Sequence, residues 1–345
     1  MKMRLEEQTR IARGAHDALV LIAFIARKSF RLGSLLVTVC VFSYWLVSHS
    51  PIDPVDAYVD ADVMLVGPEQ RAAIAAYWGL DDPPLQRLLN WGTAVAHGDL
   101  GTSMIFRQPV SEVLLERFTA SLALMGAAWV LSGVLGFALG IIAGARQGTW
   151  IDRVILWYCF TLASTPLFWL GLLLLLVFGV WLGWAPVGLG VPAGVLSDEV
   201  TLGDRLRHLV LPAVTLSILG VAAVALHTRQ KLVEVLASDY VLFARARGES
   251  EPVILWRHGV RNTALPALTL QFASLSELFG GSVLVETVFA YPGLGQAVVQ
   301  AGLRGDVPLL LGAVMFGAVF VFVGNLLADI IYRFVDPRIR LEESV

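Results

Sequence analysis

Five stretches of this sequence run for 20 residues or more without an Asp, Glu, Lys or Arg: Leu32–Ile52, Phe118–Ala145, Val154–Ser197, Leu209–Thr228 and Val307–Ala328. A sixth, Asn262–Phe289, is interrupted only by Glu277 and Glu286. A membrane-crossing helix needs about 20 mostly apolar residues, because the hydrocarbon core is roughly 30 Å thick. Composition closes off the soluble alternative. Hydrophobic residues make up 57% of the chain and charged residues 15%, against about 45–50% and 25% in ordinary soluble domains. A chain of this size has too little interior for that apolar surface. The two cysteines, Cys40 and Cys159, lie inside apolar runs, so no disulfide scaffold is expected. The net charge of −3 gives no reason to expect nucleic-acid binding.

The Val154–Ser197 run is long enough for two spans. Its second half, GWAPVGLGVPAGVL, is rich in Gly and Pro and suits a loop. One span there makes six in all. The N-terminal arm, Arg146–Arg153, Arg229–Arg261 and the C-terminal tail then share one side, with 18 of the 25 Lys and Arg residues. The positive-inside rule makes that side cytoplasmic. The expected fold is therefore an all-α membrane protein with six transmembrane helices and both termini in the cytoplasm. Its parts are an arm (1–31), a first span (32–52), an external loop domain (53–117), a five-helix core (118–332) with a cytoplasmic loop at 229–262, and a tail (333–345). In the arm, the nine apolar residues Ala18–Ala26 between Arg13 and Arg27 suit an interfacial helix. The segment after Arg31 reads as a retained anchor, because Pro51 directly follows the small-x-small triplet Ser48–Ser50 and is a poor residue after a cleavage point.

The cytoplasmic loop reads RQKLVEVLASDYVLFARARGESEPVILWRHGVRN. Tyr240–Arg247 favours a helix, Gly248 is placed to end it, and Ser250 with Glu251 and Pro252 starts a second. That second helix runs into the fifth span through Leu265 and Pro266. It shows basic and apolar side chains together, which suits either a lipid surface or docking of a cytosolic partner. Glu277 lies inside the fifth span, where an unpaired charge is costly. It is either a pathway-lining acid that meets a cationic group on a solute, or a buried, hydrogen-bonded acid between helices. Asp329 and Arg333 have the spacing of a local pair. Trp45, Trp181, Trp184 and Tyr332 suit interfacial belts. Gly126, Gly133, Gly136 and Gly140 permit close helix packing in the second span. The six histidines show no metal-ligand spacing, no Ser/His/Asp or Cys/His grouping suggests catalysis, and no GxxxxGK[ST] loop is present.

Several of these segments resemble permease subunits of ATP-binding-cassette importers, and among them the B-type subunit of the dipeptide/oligopeptide/nickel branch. The resemblance rests on Asp239-Tyr240-Val241, Ala244-Arg245-Ala246-Arg247-Gly248, Arg257-His258, Arg261-Asn262 and Leu265-Pro266. GLDDPPLQRLLNW, GDLGTS, PLFWLGLLLLL, GWAPVG, ETVFAYPGLG and VDPRIRL agree in order along the chain, so that the likeness runs from Leu32 to Leu341. It implies a type I importer permease in the cell membrane, carrying peptides or nickel and metal chelates and binding no cofactor itself. Implied partners are a second, homologous permease, two cytosolic ATPases that bind ATP and engage the coupling loop, and an extracytoplasmic solute-binding protein. Asp239, Tyr240, Ala244, Arg245, Ala246, Gly248, Arg257, His258, Arg261, Asn262 and Pro266 would couple to the ATPases. Glu277, Glu286, Pro292, Gly293 and Gly295 are the pathway or gate candidates, Glu286 with a structural role at the external gate. An ion-coupled secondary transporter is the competing class, although the two halves show no internal repeat.

Overall fold

The computed structural model describes residues 27–49, 54–59, 66–195 and 199–335, without the side chains of 54, 56, 57 and 327–335. The interfacial helix expected at Ala18–Ala26 and the tail from 336 lie outside the described residues. The Asp329–Arg333 pair and the Tyr332 ring lie outside the described side chains. Among the described residues the regular structure is helical, apart from one isolated bridge between Thr102 and Pro109.

The order is α1 (Arg27–Ser48), α2 (Pro54–Val59), α3 (Pro68–Tyr77), α4 (Pro84–Ala96), α5 (Val110–Ala145), α6 (Trp150–Ala163) and α7 (Leu167–Leu174, continued as a π-helix to Trp181). Then come α8 (Leu202–Leu236), α9 (Asp239–Ala246), α10 (Glu251–Ile254, continued as a π-helix to Val260), α11 (Arg261–Ala273), α12 (Leu275–Val288), α13 (Leu294–Arg304) and α14 (Val307–Val335). Four of these helices are long and apolar enough to cross a membrane, and six spans result if α6–α7 and the α10–α12 unit each count once.

Each bent pair packs along α8 as one continuous path. Ser132 meets Gly220 on α8, Gly136 meets Val224, Gly140 meets Thr228 and Gly144 meets Leu232. Four residues along α5 correspond to four along α8, so these two helices run parallel. A Cβ on Gly140 would fall 2.6 Å from the Ala225 carbonyl oxygen, which is why glycines recur at this seam. Between them, α6–α7 climbs α8 in the opposite sense. Asp152 lies beside Arg229, Cys159 packs on Ala222 and Ala225, and Gly171 meets Thr215. The chain bends by 106° at Ser164–Pro166 on the way, where Pro166 has no N–H to continue the ladder. The α11–α12 pair climbs likewise, with Gly259 against Leu232 and Gly281 against Leu216, and it bends by 52° at Ser274.

Four expectations need correction. Among the described residues the first span covers Arg27–Ser48, so it includes 27–31 and stops short of 52. The helix expected from Phe118 begins at Val110, so the last residues assigned to the external loop are helical. Likewise α8 extends to Leu236, eight residues into the stretch taken as loop. Charge-free runs report the part of a helix inside lipid; α5, at about 54 Å, extends well beyond a 30 Å core. Among the glycines, Gly126 has open space around it, and Gly133 faces Gln271 of α11 rather than α8.

Candidate functional site

Two regions hold the candidate residues, at opposite ends of α8. The first follows α9. Ser238 precedes that helix in extended conformation, Asp239 is exposed in its first turn, and Ala246 is its exposed last residue. Gly248 reverses the chain with φ +84°, in the left-handed region that glycine enters without steric cost. Ser250 and Pro252 then start α10. Val241, Ala244 and Ile254 close a small core on Val235 and Leu236, which fixes the hairpin to the end of α8. Arg245 donates to both carboxylate oxygens of Glu251, at 2.8 and 3.2 Å, and to the Leu236 carbonyl at 3.4 Å. The bonds to Glu251 hold the Arg245 guanidinium above its ordinary pKa. The pair is solvated and contributes little stability.

Tyr240, His258 and Glu249 meet on the inner side of the turn. The His258 ring lies 6.0 Å from that of Tyr240, and its Nε2 is 3.5 Å from Glu249. Asn262 donates to the His258 carbonyl at 2.7 Å, and Thr263 to that of Gly259 at 2.9 Å. Below them Pro266 lies within α11, where it has no N–H to offer the preceding turn. Arg257 and Arg261 are exposed and engage no acid among the described residues. The same surface exposes Leu242, Phe243, Val253 and Trp256. Exposed apolar side chains ringed by arginines have the composition found at protein interfaces.

The second region lies at the start of α5. Glu286, on α12, is wholly buried. Its Oε1 accepts from Ser121 Oγ of α5 at 2.7 Å, and its Oε2 from the Gln296 N–H at 3.1 Å. Ser121 Oγ in turn accepts from the Leu294 N–H at 2.8 Å. The carboxylate fills the space that side chains on Gly293 and Gly295 would occupy. Those two glycines of the Pro-Gly-Leu-Gly turn are therefore required by Glu286. Pro292 packs on Gly190 of the loop after α7, and Leu189 donates to the Phe289 carbonyl at 2.9 Å. The Gly/Pro-rich half of the third apolar run thus becomes a cover over this turn. Ala290 completes the end of α12 with φ +46°, a costly conformation for a residue with a Cβ.

Three further contacts were not anticipated from sequence. Asp306 is wholly buried between α13 and α14. It accepts from Ser103 Oγ at 2.6 Å, the Ile105 N–H at 3.0 Å and, as a helix cap, the Leu309 N–H at 3.1 Å. Burial raises its carboxyl above the ordinary value, and the hydrogen bonds oppose that rise. Asp152, 2% exposed, is gripped by Arg229 at 2.6 and 2.8 Å and accepts from the Gly148 N–H at 2.8 Å. Gln271 and Trp129 exchange hydrogen bonds at 2.6 and 2.9 Å. Two local signals did mark the acids: Asp306 lies between Gly305 and Val307-Pro308, and Asp152 follows Thr149 by three residues.

Glu277 corrects one expected alternative. It is exposed in the first turn of α12 rather than buried between helices, and no hydrogen bond or ion pair reaches it among the described residues.

Residues 136–341 match the family model described as "Binding-protein-dependent transport system inner membrane component". The chain is 35% identical to the oligopeptide transport system permease protein AppB of Bacillus subtilis (strain 168), over 92% of this chain and 99% of that one. It is 35% identical to the di/tripeptide transport system permease protein DppB of Pseudomonas aeruginosa (strain UCBPP-PA14), over 93% and 99%. It is 32% identical to the dipeptide transport system permease protein DppB of Escherichia coli (strain K12), over the same shares. This multi-pass helical bundle, with an arginine-rimmed apolar hairpin at one end and a buried carboxylate at the other, is a permease subunit, and the chain belongs to the family of binding-protein-dependent transport system inner membrane components.

Proposed function

We propose that this chain forms half of the route by which an ATP-driven importer carries peptides across the cell membrane. Both termini and the α9–α10 hairpin face the cytoplasm, following the sorting of basic residues. A second, homologous permease completes the route, an external solute-binding protein delivers the peptide, and two cytosolic ATPases bind and hydrolyse ATP. The names of the relatives favour peptides over nickel or metal chelates.

The observation that carries this reading is the hairpin. Phe243 and Leu242 are 65% and 64% exposed at the end of a helix pair that Val241, Ala244 and Ile254 anchor to α8. A load on those side chains is transmitted to α8 and, through Gly259 against Leu232, to the start of α11. Displacement of the hairpin as a body then moves two spans together. Asp239, Tyr240, Arg257 and Arg261 form its polar rim, and Glu286, Pro292, Gly293 and Gly295 hold the gate at the external end.

The test is Phe243→Glu in the assembled complex. Recovery of the ATPase subunits with this chain is expected to fall by about tenfold or more, with thermal stability within about 0.5 kcal/mol of the parent because the position is a surface one. Undiminished recovery contradicts the docking role.

A further inference from the structure

Glu277 is the one acid in the spans that this chain leaves without a visible purpose among the described residues. It lies three residues past the 52° break at Ser274, well inside the fifth span. Its neighbour Ser276 is engaged with Asn325 of α14 at 2.6 Å. The Glu277 carboxylate, by contrast, borders an open cavity of about 150 Å³ between α8 and the α11–α12 break. Along α12 the exposed positions are Glu277, Gly280, Leu284 and Thr287, the spacing of one helix face; Ala273, at the end of α11, is exposed just across the break. That face cannot be turned to lipid, where an unpaired carboxylate at such depth is strongly disfavoured. Water, a cation, or a basic group must meet it.

We propose that Glu277 faces the water-filled route itself and sets the preference of that route for solutes bearing ammonium or guanidinium groups. This assignment rests on the reading of the chain as a peptide permease and names the peptide class that the membrane portion favours. The small side chains beside Glu277 leave the carboxylate open to a passing solute. The bend at Ser274 puts it at the head of α12, and the unoccupied space lies on the side of α8.

The test uses the assembled transporter in proteoliposomes, with Cys40 and Cys159 replaced by alanine and a single Ala273→Cys probe. Modification by a cationic and an anionic methanethiosulfonate reagent of similar size is timed. The cysteine is expected to react from water, with the cationic reagent favoured about tenfold over the ratio for a free thiol. Glu277→Gln is expected to abolish that preference. An unreactive cysteine overturns the proposal, as does a preference that survives Glu277→Gln. These rates do not depend on what is carried, so they decide the position of Glu277 even if peptide uptake by the parent complex fails and the peptide reading falls with it. In the uptake arm, Glu277→Gln is expected to lower the ratio of initial rates for a lysine-containing over a glutamate-containing tripeptide by about tenfold. Equal loss for both peptides means that Glu277 pairs with a basic residue of the second permease, and overturns the proposal.

Discussion

Glu286 and Glu277 lie on the same helix, nine residues apart in one apolar run, yet the molecule treats them oppositely. Glu286 is sealed from solvent, with Ser121 and the Gln296 N–H on its oxygens and two glycines making its space. Glu277 is exposed and unpartnered among the described residues. A charge in an apolar span therefore has two distinct meanings. One acid is satisfied within its own chain and holds helices together. The other is left for something outside the chain. The distinction depends on neighbours, and a hydropathy trace carries none of it.

The largest expected effect falls on the sealed acid. Glu286→Ala removes the acceptor for the buried Ser121 hydroxyl and the half-buried Gln296 N–H and leaves a void, and is expected to cost about 3 kcal/mol or more in thermal unfolding of the detergent-solubilised protein. Gly295→Ala approaches the same lock from the other side. Its Cβ would lie 2.6 Å from Val283 Cα and 2.9 Å from Glu286 Oε2, for an expected loss of about 1–3 kcal/mol. Ser121→Ala leaves the carboxylate and the Leu294 N–H each short of one bond, and is expected to cost about 1–2 kcal/mol. Glu277→Gln, in the same assay, should stay within about 0.5 kcal/mol of the parent. A stability loss there as large as that of Glu286→Ala would erase the contrast.

Asp306 sharpens the comparison through pH. Its folded carboxyl is raised above the ordinary 3.8 by burial. Its protonated form is therefore favoured by folding. The resulting stability is fully present below pH 3.8 and fades as pH rises through the raised folded value. Asp306→Asn should flatten that part of the stability profile, and an unchanged slope would show that another group titrates there.

Much of the fold was legible because lipid imposes a simple rule. Five runs without charge and a sixth holding only Glu277 and Glu286 marked the apolar helices, and the imbalance of Lys and Arg between the two sides argued for one crossing plus a cover in Val154–Ser197. The Gly248 turn between two helices was also legible, since Ser250, Pro252 and glycine act locally. The lock was only half legible. ETVFAYPGLG drew attention to Glu286, but its partner Ser121 lies 165 residues away, and Ser103 lies 203 residues from Asp306. No local pattern joins such pairs. The Asp152–Arg229 clamp was missed for the same reason, with its two halves read as parts of separate loops. Helix ends are not legible where α5 and α8 continue beyond the hydrocarbon as charged helices, because the first charge marks the edge of the lipid and not the end of the helix.

In the proposed function this permease works in an importer driven by ATP rather than by an ion gradient. Uptake of a labelled tripeptide into vesicles carrying the assembled complex, measured with and without a proton uncoupler while ATP is held constant, tests it directly. Accumulation that requires ATP and survives the uncoupler is the expected result. Accumulation abolished by the uncoupler at undiminished ATP would contradict it.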